Sequence, residues 1–192
     1  MYMFKEYLWG KSKIIETRIP NPDDWVPELL HNFHKNQDKC VFSHKISARW
    51  ENSYLPIDLV PQARIPIRYA RDIGVEKFSR SLCMIYQSLE ESESSKFPFW
   101  FNSSMPGEST GLHDHAHLAA LSGVVYLSCL SESGNIYFHL DGLPELEIMP
   151  EVGKLILFEP WMRHGVRINQ SSHPRLSLAF NLQPFPLPVV GL

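Results

Sequence analysis

Apolar and polar positions change rhythm near residue 96. Before it, apolar residues fall at helical intervals in two places. In "NPDDWVPELLHNFHKNQ", Trp25, Leu29, Leu30 and Phe33 recur every three to four residues. Asn21 stands where a cap belongs, and Pro22, Asp23 and Asp24 fill the first turn, where a missing N–H and negative charge are both tolerated. The spacing predicts a second helix over "GVEKFSRSLCMIYQSL", with Phe78, Leu82, Ile85 and Leu89 on one face. The polar "EESESSKFP" that follows reads as a solvated connector.

Beyond it the pattern becomes short β-type runs parted by turn residues: "FWFNSS", "AALSGVVYLSCL", "NIYFHL", "LEIMP", "KLILFEP" and "RLSLAFNL". "SESGN" and "DGLPE" have turn chemistry. Many short strands without intervening helices predict an antiparallel barrel or sandwich, so the fold class is mainly β with flanking helices. One domain over 1–192 is expected, with residues 1–96 as helical and irregular support and 97–192 as the barrel core. The proline-rich tail "QPFPLPVVGL" is expected to lie extended over the surface. Between the helical segments, "ARWENSYLPIDLVPQARIPIRYARD" shows neither period. It carries Trp50, Tyr54 and Tyr69 with Arg49, Arg64, Arg68 and Arg71. It reads as a long irregular stretch, part of which folds over the barrel mouth as a lid and lines a substrate pocket. A mixed aromatic and cationic lining would suit a small zwitterionic or acidic substrate.

Composition narrows the classes. The 192 residues suffice for one core, and a formal net charge of −3 gives no footprint for nucleic acid or an anionic membrane surface. Cys40, Cys83 and Cys129 are odd in number and form no CxxC, which argues against a disulfide framework and thiolate metal sites and for a reducing, cytoplasmic setting. "MYMFKEYLWGKSK" lacks the apolar run of a signal peptide, and no run approaches the roughly 20 apolar residues of a membrane helix.

The chemistry concentrates in "GLHDHAHLAALSGVVYL", with histidines at 113, 115 and 117 and one carboxylate, Asp114. Alternate residues of a strand share a face, so His113 and His115 can point to one place. Neutral imidazole is a common transition-metal ligand. A third ligand must come from His31, His34, His44, His139, His164 or His173. His164, in "PEVGKLILFEPWMRHGV", follows a predicted strand and falls at a barrel rim, whereas His31 and His34 ride a surface helix. Spacing alone leaves a solvated edge strand as an equal reading. In "PRLSLAFNL", Arg175, Ser177, Ala179 and Asn181 share one face and Leu176, Leu178 and Phe180 the other. An inward Arg175 would grip a carboxylate with its fork, helped by Ser177. An outward Arg175 would form only a surface salt bridge.

These motifs, in order, resemble the 2-oxoglutarate/Fe(II)-dependent oxygenases, and among them a family of small oxygenases related to prolyl 4-hydroxylases. The residues that carry the resemblance are Trp100, Asn102, Gly107, His113, His115, Ser122, Gly123 and Tyr126, then Gly153, Phe158, Trp161, His164, Arg175, Ser177, Phe180 and Asn181. They cover the C-terminal half of the chain. The resemblance implies a double-stranded β-helix, a jelly-roll or cupin-like barrel, with His113, His115 and His164 as ligands of Fe(II). It implies that Arg175 holds the distal carboxylate of 2-oxoglutarate, with Ser177, Tyr126 and Asn102 beside it. The implied activity is hydroxylation by O2 of an amino-acid-like or small natural-product substrate, with 2-oxoglutarate decarboxylated to succinate. His115 stands where the wider superfamily has Asp or Glu, and a register placing Asp114 or His117 at the metal is an alternative. Two other readings are a three-histidine cupin-type dioxygenase that does not use 2-oxoglutarate and a non-catalytic binding barrel. A halogenase-like variant ranks lower, because His115 fills the position such an enzyme leaves open.

Overall fold

Alternation decides the architecture. In β13 (Arg175–Pro184), Leu176, Leu178, Phe180 and Leu182 are all buried in one apolar cluster, while Arg175, Ser177, Ala179 and Asn181 face a cavity on the other side. The computed structural model describes residues 4–46, 49–84, 98–116 and 119–186, the side chains of 44–50 aside. The other strands are β1 (Lys5–Trp9), β2 (Ser12–Arg18), β3 (Val41–Ile46), β4 (Arg49–Tyr54), β5 (Leu82–Cys83), β6 (Phe99–Ser104), β7 (Thr110–His113), β8 (Leu121–Ser128), β9 (Ile136–His139), β10 (Leu146–Ile148), β11 (Lys154–Phe158) and β12 (Arg163–Val166). The larger sheet runs β1-β2-β11-β8-β13-β6-β4-β3, with β5 paired to the end of β13; the smaller runs β10-β9-β12-β7. The fold is a double-stranded β-helix, as the motif order implies.

The two α-helices among the described residues, α1 (Pro22–Lys35) and α2 (Arg64–Phe78), cover the outer face of the larger sheet. Trp25, Leu29 and Phe33 from α1 and Ile67, Ala70 and Ile73 from α2 join Leu121, Val125, Leu155, Leu157, Leu178 and Phe180 of the sheet in one core. A second, smaller cluster lies between the sheets, around Tyr126, Ile136, Phe138, Ile156 and Phe158.

Several expectations need correction. Asn21 does precede α1, but its backbone is left-handed (φ 47) and its side chain makes no cap hydrogen bond. Asn tolerates that conformation better than most residues. The second helix spans Arg64–Phe78, not the stretch from Gly74 to Leu89. It stops at Ser79, which is left-handed (φ 53), and Leu82 enters β5. Ile85 and Leu89 lie outside the described residues. The true helical face is Ile67, Ala70, Ile73 and Gly74, whose small members hid the period. Gly74 is small for a reason: a Cβ there would stand 2.6 Å from Leu82 Cδ1 and 2.8 Å from Leu121 Cδ2. The stretch read as irregular is regular at both ends, forming β4 and α2. Of the proline-rich tail, Gln183 and Pro184 still belong to β13, and residues 187–192 lie outside the described residues. No helix among the described residues is long and apolar enough to cross a membrane. Cys40, Cys83 and Cys129 are free thiols.

Candidate metal centre and cavity

Between the two sheets lies a cavity of about 520 Å³, and its wall brings three histidines together. His113 ends β7 and pairs in register with His164 of β12. His115 follows two residues after the strand, where its backbone N–H donates to the Pro160 carbonyl (2.7 Å) and pins the loop. The ring centroids are 4.4 Å apart for His113 and His164, 5.1 Å for His115 and His164, and 5.2 Å for His113 and His115. Their ligand nitrogens all lie within 4.8 Å of one another.

Hydrogen bonds decide which nitrogen of each ring is available. His113 Nδ1 faces the Gly111 carbonyl at 2.8 Å and His164 Nδ1 faces the Met162 carbonyl at 2.9 Å. A carbonyl only accepts, so both rings carry their proton on Nδ1 and keep a lone pair on Nε2. His115 Nδ1 meets the Ser122 hydroxyl at 3.1 Å, and that hydroxyl donates to Asn181 Oδ1 at 2.9 Å. Three Nε2 lone pairs therefore serve one place, an arrangement that fits a transition-metal ion. Burial first, and then the neighbouring His113 and His115, hold the His164 imidazole well below the usual histidine range, so it stays neutral and able to ligate. Asp114 is not part of the cluster; its carboxylate accepts the Ala116 N–H at 3.1 Å. His117 lies outside the described residues.

The same cavity holds a cation at its other end. Arg175 is 1% exposed, and its Nη1 donates to the carbonyls of Ser133 (3.1 Å) and Gly134 (3.2 Å). Gly134 belongs to the "SESGN" turn, with φ 93; a Cβ there would meet the Arg167 carbonyl at 2.2 Å. Ser177 and Tyr126 line the cavity beside Arg175, and burial pushes the Tyr126 phenol far up, so its O–H stays protonated and able to donate. The Ser177 hydroxyl approaches the Asn102 carbonyl at 3.5 Å, and Asn102 also faces the cavity.

The family model that matches is described as "Putative 2OG-Fe(II) oxygenase"; it covers residues 141–181, the segment that holds His164, Arg175, Ser177 and Asn181. No curated protein matches the sequence. A prolyl-4-hydroxylase from Pseudomonas putida superposes with a TM-score of 0.62 at 15% identity, over 88% of this chain and 91% of that one. SnoN, a non-heme alpha ketoglutarate dependent epimerase from nogalamycin biosynthesis, gives a TM-score of 0.62 at 15% identity, over 92% and 86%. HygX from Streptomyces hygroscopicus, solved with nickel and 2-oxoglutarate bound, gives 0.57 at 12%, over 90% and 83%. The fold is that of the 2-oxoglutarate/Fe(II) oxygenases. In this oxygenase fold the three histidines can hold the metal.

The oxygenase fold also shows cavity residues that sequence patterns did not single out, Thr110 and Asn52, together with Tyr54 from the segment expected to line a pocket. Thr110, three residues before His113, is 6% exposed, and its hydroxyl has no hydrogen-bond partner among the described residues. Asn52 and Tyr54 enter from β4: Asn52 accepts from Asn102 Nδ2 at 3.5 Å and donates to Tyr54 Oη at 3.3 Å. Tyr54 neighbours Trp100 (6.4 Å between rings), and Trp100 neighbours His115 (5.8 Å). The alternation Trp50, Asn52, Tyr54 was a strand signal, masked by the prolines after it. Arg64 and Arg68 do not line the cavity; Arg64 pairs with Asp58 at 2.9 Å on the surface.

Proposed function

We propose that this protein is an Fe(II)- and 2-oxoglutarate-dependent oxygenase that hydroxylates an amino-acid-like or small natural-product substrate, with decarboxylation of 2-oxoglutarate to succinate. One observation carries the reading: a single cavity joins three Nε2 lone pairs at one end to a fully buried guanidinium at the other. His113, His115 and His164 would hold the metal. When bound, Fe(II) supplies the activation of O2 that links the fate of the two organic substrates.

The chain itself does the positioning. A guanidinium out of water is stabilised by an anion, and its planar fork matches a carboxylate. Arg175 would receive the distal carboxylate of 2-oxoglutarate, in a cavity that Ser177, Tyr126, Thr110 and Asn102 also line. That would leave the keto-acid end to the part of the cavity that His113, His115 and His164 line. On the other flank, Trp100, Tyr54 and Asn52 offer an aromatic and amide surface next to His115 to the substrate to be oxidised.

The all-histidine donor set favours a second reading, a cupin-type dioxygenase that needs no 2-oxoglutarate. Such an enzyme has no use for Arg175 in the cavity. Anaerobic addition of Fe(II) and 2-oxoglutarate separates the two. The proposal expects a weak visible charge-transfer band that requires both. It also expects Arg175→Ala to weaken 2-oxoglutarate by about 2–5 kcal/mol, with Arg175→Lys restoring only part because a point charge cannot fork. A band absent from the wild type, or an affinity unchanged in Arg175→Ala, would transfer the assignment to the cupin-type reading.

A further inference from the structure

The proposed chemistry uses Arg175 and Ser177 of the cavity face of β13 and leaves Asn181, at the other end of that face, without a role. Asn181 is 7% exposed and stands directly across the ladder from Ser122 of β8, which is 1% exposed. The Asn181 backbone is fixed by an N–H to the Pro98 carbonyl at 2.8 Å. Ser122 donates its single hydroxyl proton to Asn181 Oδ1 at 2.9 Å. Toward His115, 3.1 Å away, the same oxygen can therefore only accept. His115 must carry its proton on Nδ1, which leaves the lone pair on Nε2.

The other two histidines are oriented by backbone carbonyls, which cannot reverse their role. His115 depends on side chains, and a hydroxyl can reverse. Without Asn181, Ser122 is free to turn its proton to Nδ1, and Nε2 then carries a hydrogen and cannot ligate. A carboxylate would present acceptor lone pairs on both oxygens; an imidazole presents one, and only in the correct tautomer.

We infer that Ser122 and Asn181 are a positioning relay that fixes the tautomer of His115 and so keeps its Nε2 available as a metal ligand. The inference rests on the metal reading above. Its consequence is that β13 acts at both ends of the cavity, on the cosubstrate through Arg175 and on a ligand through Asn181.

Two-bond 1H–15N spectra of the metal-free protein, with its histidines labelled and neutral, test the relay without any metal. The wild type should show His115 protonated on Nδ1 alone. Ser122→Ala and Asn181→Leu should introduce the Nε2–H form, whereas Ser122→Thr and Asn181→Asp, which keep the hydroxyl and the acceptor, should retain the wild-type signature. Titration with Co(II) alone should then show about 10–100-fold weaker binding in Ser122→Ala and Asn181→Leu, and near wild-type binding in Ser122→Thr. An Nε2–H form of His115 in the wild type, or an Nδ1–H form in every variant, overturns the relay. Failure of the wild type to bind Co(II) would instead sink the metal reading, while the spectra still decide the relay.

Discussion

At the scale of single residues, His164 couples the site to stability. Its ring is 5% exposed and is held neutral by burial and by two imidazole neighbours. A histidine whose folded pKa is depressed is protonated more readily in the unfolded chain. Its contribution is therefore complete above the ordinary value near 6.5 and is lost as pH falls below it toward the depressed folded value. Urea denaturation of the metal-free protein should show stability declining from pH 7 to pH 5, with a shallower decline in His164→Phe. Equal slopes in the two proteins would remove His164 as the cause. The pair His113 and His115 was legible from spacing because alternate residues of an extended chain share a side. Which nitrogen each ring offers was not legible, because that depends on Gly111, Met162 and the distant Asn181.

Among the elements, β13 was the most legible and α2 the least. β13 alternates without exception over Arg175–Asn181, since one face meets the helix-covered core and the other the cavity. In α2 the buried positions are Pro66, Ile67, Ala70, Ile73 and Gly74. Alanine and glycine bring the helix close to the sheet but add little to an apolar count, and a proline in the first turn looks like a breaker although it is tolerated there. The turn that presents the Ser133 and Gly134 carbonyls to Arg175 offers a sharper test. Gly134→Ala would force a Cβ against the Arg167 carbonyl at a φ of 93. Strain of this kind costs about 1–3 kcal/mol. We expect a matching loss in thermal stability together with weaker 2-oxoglutarate binding, because the Ser133 and Gly134 carbonyls that steer the guanidinium must move. Weaker stability with an unchanged cosubstrate affinity would show that those carbonyls do not steer Arg175.

For the molecule as a whole, the N-terminal half does more than cover the barrel. The β3–β4 hairpin extends the larger sheet beyond β6 and brings Asn52 and Tyr54 to the cavity wall. The arginines of α2 stay outside that wall, so of the mixed aromatic and cationic lining expected of this segment the aromatic part, Tyr54, is present, joined by the amide of Asn52. Neutralising Arg64 and Arg68 should leave the KM of the oxidised substrate unchanged, and Asn52→Ala should raise it with little effect on the 2-oxoglutarate KM. The reverse result would return the arginines to the pocket.

The position of β13 has a further consequence, for the order in which the protein can mature. Among the described strands it is last in sequence, yet it sits between β8 and β6 in the middle of the larger sheet. The histidines all precede it, while Arg175, Ser177 and Asn181 arrive with it. On the proposed function, a growing chain carries its candidate metal ligands before it carries the groups that would hold a cosubstrate or set the tautomer of His115. A ribosome-bound fragment ending before this strand would, on the same function, lack the guanidinium that would grip the cosubstrate.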